Sequence, residues 1–391
     1  MPEPPAHTRL SVKLLAIVLP VVLLLGFAEL AQRASDWRKN AKRADRSDPY
    51  SIRAVTRTGH PIGARAIGGD VRGRLALELR PHLIFANRAD QHLDGVTINA
   101  QGFRGGDWEL ERKPGTRRVI VLGGSTAFGK AASSDSRTFA ARLEYRLQRR
   151  RATEVWSAGV IGYDSNQEAI LLRSRLLDYR PDLLIFFDGW NDFYNSGRTP
   201  DGRQLEHPHF LEVEEALVEA ERPWRNLLWQ SAFVRGLERK WPAWRRSLGW
   251  DEPEEREFGI YRHSPEAVAR YAKNLERMIR LARAYGVDSL VAPQPEIFDR
   301  AEPSEFEQYK RDQLEADGYA AYAQAHWLDY VGAARRVAEA EGVPFVEVQD
   351  LFDEAEGDVF TDLVHLTDLG QEIVAEALHE PVARVLDARS R

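Results

Sequence analysis

Ser125, Asp362 and His365 are the residues of this chain whose types and spacing suit acyl transfer. Ser125 ends "VIVLGGS" (119–125), in which an aliphatic run meets two glycines and then a bare hydroxyl. Asp362 and His365 lie three residues apart in "FTDLVHLTDLG" (360–370). A serine hydroxyl is a poor nucleophile until a base takes its proton, and histidine serves best as that base when a carboxylate fixes its tautomer. One turn at the mouth of a helix lets Asp362 reach one imidazole nitrogen while the other faces Ser125. The oxyanion formed on attack needs donors aimed at one point, which the N–H groups of Ser125 and Gly162 and the Asn191 amide can supply.

The same glycine turn admits a second chemistry. "GSTAFGKA" (124–131) matches the phosphate-cradling pattern G-x-x-x-x-G-K-[ST] except at its last position, and "LLIFFD", ending at Asp188, resembles the strand that accompanies it. Ala131, however, lacks the hydroxyl that binds magnesium. A nucleotide-binding reading also leaves "GWND" (189–192) and "DLVH" (362–365) without a role.

The elements that must position these residues follow from periodicity. From Arg118 onward, short uncharged runs alternate with amphipathic ones: "RVIVL", "EVWSAGV", "DLLIFF", "VDSLVA" and "PFVEV" read as strands. Helices follow them, and the one starting at 264 has Ser264 as N-cap, Pro265 in its first turn and Gly286 past its end. Strands buried on both faces and each followed by a helix predict an α/β fold, a three-layer doubly wound five-stranded parallel sheet of flavodoxin-like type. Ligands of such sheets sit beyond the carboxyl ends of the strands, and Ser125, Gly162, Asn191 and the Asp362–His365 segment all fall there.

Four ordered blocks, "VLGGST", "SAGVIGYDS", "GWND" and "FTDLVHLTDLG", resemble the SGNH or GDSL-type serine hydrolases (esterase/lipase-like) over about 118–199 and 264–380. The resemblance implies Ser125 as nucleophile, His365 as base, Asp362 as its orienting acid, and Ser125, Gly162 and Asn191 as the oxyanion hole, with no cofactor and no metal. Gly124 stands where the family name has aspartate, and Ser157 or Ala158 stands where an asparagine is often found. Neither departure removes a catalytic group. The implied activity is serine-dependent ester hydrolysis through an acyl-enzyme, on acylated polysaccharide or lipid. Two alternatives share the fold: O-acyl transfer to a sugar hydroxyl, and non-catalytic polysaccharide binding in an export assembly.

Composition narrows the rest. The 391 residues carry a net charge of −6, which makes no electrostatic case for a nucleic-acid partner. With no cysteine, disulfides, thiolate catalysis and cysteine-ligated metals are excluded. The uncharged run Leu14–Ala28 approaches the roughly 20 residues a bilayer requires and reads as an N-terminal transmembrane helix. Arg33, Arg38, Lys39, Lys42, Arg43 and Arg46 follow it, a bias that favours a cytoplasmic body, whereas the resemblance favours an extracytoplasmic one. The domain organisation is therefore an anchor over 1–31, a stalk with a small β-rich approach segment over 32–115, and the hydrolase domain over 116–391.

That domain contains an insertion at about 200–262, holding Trp224, Trp229, Trp241, Trp244 and Trp250 among arginines. It reads as tryptophans packed on the core, or as a cap over the substrate groove or at the membrane interface. "HPH" (207–209) has no third ligand nearby and reads as an exposed loop, and "NAQGFRG" (99–105) as a turn, similar to a segment that precedes the hydrolase core in membrane-linked relatives.

Overall fold

The computed structural model describes residues 20, 23–35, 75–80, 82–197, 231, 233, 261–315 and 318–389. The chain divides into two compact units, Met1–Arg74 with Glu212–Arg256, and Leu75–Leu211 with Glu257–Arg391. In the first unit a helix covers 23–35, and its Glu29 carboxylate accepts hydrogen bonds from Ser231 Oγ and the Phe233 N–H, both at 2.7 Å. Among the described residues no helix is long and apolar enough to cross a membrane. Residues 14–19 and 21–22 of the anchor expected over 14–28, the five tryptophans of the insertion, and His207 and His209 all lie outside the described residues.

The second unit opens with two antiparallel hairpins, β1 (Leu77–Arg80) with β2 (Ile84–Asn87), and β3 (Gln91–Leu93) with β4 (Val96–Ile98). Then come β5 (Arg117–Gly123), β6 (Thr153–Ser157), β7 (Leu183–Phe187) and β8 (Asp288–Val291), which pair in parallel in the order β6-β5-β7-β8. The fifth strand read at "PFVEV" is reduced to a bridge between Val291 and Phe345. It still lies beside β8, since the Val291 N–H donates to Pro344 O and the Val346 N–H to Val291 O. Its pairing stops after Val346, and Gln349 starts a 3₁₀ turn.

Side chains alternate across the sheet, as period-two geometry requires. Val119, Val121, Leu183, Ile185 and Phe187 face α2 (Phe139–Leu147) and α8 (Asp368–Ala388), forming one buried core. Ile120, Leu122, Leu184 and Phe186 are likewise buried. On their side lie α3 (Ser165–Ser174), α5 (Pro265–Ala284) and α7 (Tyr319–Glu341), whose buried stripes include Leu171, Leu275 and Val331. Burial on both faces explains why the strands read as continuous apolar runs. The helix expected at 264 forms as read, with the Ser264 hydroxyl accepting from the Ala267 N–H at 3.2 Å. Among the elements without a counterpart in the sequence reading is α6 (Glu305–Glu315), whose composition is polar nearly all round.

Candidate active site

β5 delivers the hydroxyl. Its last residue, Gly123, passes so close to β7 that a Cβ there would lie 2.1 Å from the Phe187 carbonyl oxygen. The chain then turns at Gly124, and Ser125 opens the short helix α1 (Ser125–Phe128). Ser157 Oγ donates to Ala127 O at 2.7 Å, so Ser157, one of the two residues where the family often has asparagine, braces α1 from β6.

The approach segment supplies a second brace. Asn99 Oδ1 accepts from the N–H groups of Gln101 and Phe103, which closes the "NAQGFRG" turn and aims Arg104 inward. The buried Arg104 guanidinium donates to Gly129 O at 2.6 Å and to Phe128 O at 3.4 Å, holding carbonyls at the end of α1, and pairs with Asp135 at 2.7 Å. A role for Arg104 was not legible in the sequence, because its partners, two backbone carbonyls and Asp135, lie 24, 25 and 31 residues away.

Asp362 and His365 sit in a tight antiparallel loop ahead of α8, not in the helix itself. Phe360 bridges Leu366, the Thr361 N–H donates to His365 O at 2.8 Å, and the Thr367 N–H donates to Val359 O at 2.8 Å. Within this loop Asp362 Oδ1 accepts from the Val364 and His365 N–H groups at 3.2 and 3.0 Å. The three-residue spacing therefore works through a side-chain-capped turn, and α8 begins only at Asp368. α6 holds the loop from outside: the fully buried Glu307 carboxylate accepts from the N–H groups of Val359 and Phe360 at 2.7 and 2.8 Å and from Arg300 at 2.6 Å. Arg300 in turn donates to Gly357 O and Ala355 O.

These elements bring the three side chains together. His365 Nδ1 lies 2.6 and 2.7 Å from the two Asp362 carboxylate oxygens, and His365 Nε2 lies 2.8 Å from Ser125 Oγ. A carboxylate only accepts, so Nδ1 carries the proton and Nε2 is left to accept from the serine hydroxyl. Partial burial works against the charge on Asp362, but the hydrogen bond and charge of His365, with the charge of Lys130, hold its carboxyl well below the usual range. Ser125 and His365 are nearly closed off from solvent, while the Asp362 side chain remains 43% exposed. The arrangement can take a proton from Ser125 and return it to a leaving group.

The other residues singled out by sequence lie around the Gly124 turn that precedes Ser125. Asn191 opens toward the turn from α4 (Trp190–Gly197), its Nδ2 donating to Tyr163 O at 2.7 Å. A Cβ added to Gly124 would lie 2.4 Å from Asn191 Nδ2 and 3.2 Å from Tyr163 O, so both pack against the Ser125 turn. This gives a physical reason for glycine where the family name has aspartate. Gly162 precedes Tyr163 with φ +85°, a conformation that favours glycine. Among the described residues neither the Ser125 nor the Gly162 N–H donates to a protein acceptor. Asp188, the acid that a nucleotide site would require, is buried and accepts from Tyr271 OH at 2.8 Å, so the phosphate-loop reading fails there.

None of the curated proteins compared with the chain matches it. Among solved structures, it is similar to an acetyl xylan esterase, AlAXEase, at 14% identity and TM-score 0.37, covering 68% of this chain and 99% of that one. A lipase/acylhydrolase from Enterococcus faecalis gives 14% identity and TM-score 0.39, covering 68% and 96%. LAE5, an alpha/beta hydrolase enzyme from the metagenome of Lake Arreo, gives 15% and 0.40, covering 71% and 98%. The profile of the GDSL-like lipase/acylhydrolase family matches residues 121–373, which run from the end of β5 through the Ser125 turn and the Asn191 helix to the Asp362–His365 loop and the start of α8. The chain belongs to the GDSL-like lipase/acylhydrolase family and is a carboxylic ester hydrolase.

Proposed function

We propose that the chain cleaves esters through a covalent acyl-Ser125 intermediate. The observation that carries this reading is the continuous path from Ser125 Oγ through His365 to Asp362, at 2.8 Å and then 2.6–2.7 Å. Ser125 Oγ attacks the ester carbonyl carbon as its proton passes to His365 Nε2. Collapse of the tetrahedral adduct expels the alcohol, which takes that proton. Water then attacks the acyl-enzyme, leaves a proton on Nε2, and the carboxylic acid departs as Ser125 recovers its hydrogen. The Ser125 and Gly162 N–H groups and the Asn191 amide stabilise the oxyanion in both halves.

The substrate is an acylated polysaccharide or lipid, and the body is tethered outside the cytoplasm by a helix over 14–28. The uncharged N-terminal run supports the tether, while the cations after it favour the opposite orientation. Ser125→Ala in the full chain, run beside the unaltered protein on activated esters from acetyl to long-chain, tests the chemistry. A loss of at least ~10³ in kcat in a folded variant supports it, and ordinary turnover overturns it. Product analysis with sugar acceptors tests hydrolysis against transfer, since an acylated sugar in place of free acid would make the protein a transferase. Protease digestion of the body in intact spheroplasts supports the extracytoplasmic location, and protection until lysis refutes it.

A further inference from the structure

His263, His326 and Asp329 converge well apart in sequence from the ester-cleaving trio. His263 lies where the chain returns from residues 198–260, and the Arg262 N–H donates to Gly197 O at 2.8 Å, so both ends of that stretch meet at the end of α4. His326 and Asp329 lie on α7 three residues apart, a spacing that puts both on one helix face. His263 Nε2 and His326 Nδ1 are each 3.5 Å from the same oxygen, Asp329 Oδ2. One ligating atom from each residue lies within 4.8 Å of the other two.

At 3.5 Å these are poor hydrogen bonds, and His263 Nδ1 is a buried atom with no partner among the described residues. A separation of 3.5 Å does match the edge of a tetrahedral metal site, about 3.3–3.4 Å for bonds of roughly 2.0–2.1 Å. The two imidazoles stack with centroids 4.1 Å apart and planes 10° from parallel, so their in-plane lone pairs do not yet meet at one point. Loading needs one ring to swing out of the stack, and His326, with 33% of its side chain exposed, is freer to do so than His263.

We propose that His263, His326 and Asp329 form a divalent-metal site of the zinc class that clamps the returning chain to α7. Two imidazoles and one carboxylate suit a borderline-soft ion, and a three-residue set leaves a position for water. The metal acts on structure and not on ester cleavage, by tying the root of a long excursion to the core.

The test uses the full chain, stripped with a chelator and titrated with Zn²⁺ alone. One ion per chain is expected by calorimetry, with a rise in Tm of about 3 °C or more at saturation. His326→Ala and Asp329→Asn should each abolish binding and the Tm rise while leaving turnover of a small ester unchanged. The double variant His207→Ala/His209→Ala should retain both. No Zn²⁺-dependent shift in the unaltered chain, a shift that persists in His326→Ala, or one lost only in the His207/His209 variant would each overturn the proposal.

Discussion

Asn191 and Gly124 meet where one added methyl group would not fit. A Cβ on Gly124 would lie 2.4 Å from the Asn191 amide nitrogen, which Tyr163 O holds by a 2.7 Å hydrogen bond. Gly124→Ala should therefore push the amide away, lowering kcat by about 10- to 10²-fold with KM little changed, because the oxyanion contact proposed for that amide acts in the transition state. Asn191→Ala should cost about 10²-fold in kcat, and adding Gly124→Ala to it should cost little more, which steady-state kinetics on the three variants checks. Asp362→Asn removes the charge that fixes the His365 tautomer and should lower kcat by about 10³-fold or more. Because the Asp362 carboxyl is held well below its ordinary range, it stays ionised across the working range of pH. The acid limb of the kcat/KM profile should accordingly carry no contribution from the Asp362 carboxyl, and a limb of slope two would contradict this.

At the scale of elements, the loop 359–367 is held by the buried pair Glu307 and Arg300. Glu307 on α6 satisfies the N–H groups of Val359 and Phe360 just before Asp362, and its partner Arg300 holds carbonyls at 355 and 357. Both side chains are buried, so removing one strands the other's charge. Glu307→Ala should destabilise the protein by about 3–5 kcal/mol in urea unfolding. Glu307→Gln keeps an acceptor for the loop, and should cost less stability while lowering kcat more than it raises KM. Equal stability losses in the two variants would show that the charge on Glu307 accounts for the effect.

The second unit as a whole buries an unusual cluster of acids behind the Asn191 helix. Asp164, Glu168, Asp188 and Asp192 are all enclosed, and burial first, then neighbouring carboxyls where they lie close, raises each above its ordinary range. Neither Glu168 oxygen nor Asp188 Oδ2 meets a donor among the described residues, and burial together with the nearby Asp188 carboxyl raises Glu168 well above its ordinary range. The native state thus keeps protons that the unfolded chain has released above roughly pH 4.3. Stability must then fall as pH rises from there toward the raised values, by up to about 1.4 kcal/mol per pH unit for each proton retained. Asp362 contributes in the opposite sense, but its share is lost only as pH falls through its lowered pKa, so it is constant over this window. Urea unfolding between pH 5 and 8 should show the decline, and Glu168→Gln, which stays neutral, should flatten it by one proton's worth.

What the sequence determined by itself is what local pattern controls. Apolar runs of strand length, the caps Ser264 and Pro265, and the glycines before Ser125 each act on neighbours in the chain, so the parallel sheet and the positions of Ser125, Gly162, Asn191, Asp362 and His365 at its carboxyl edge were legible. Tertiary structure alone decided the rest, because the partners are remote or are backbone atoms without a side-chain signature. Arg104 bonds carbonyls of α1, Glu307 bonds N–H groups 52 and 53 residues away, and α6, polar nearly all round, shows no periodic stripe to betray it. The fifth strand shrank to a bridge because pairing to β8 ends at Val346, a limit that no propensity encodes. The loop in place of a helical turn around His365 arose because Thr361 and Thr367 bond across it, a closure that only the folded chain can make.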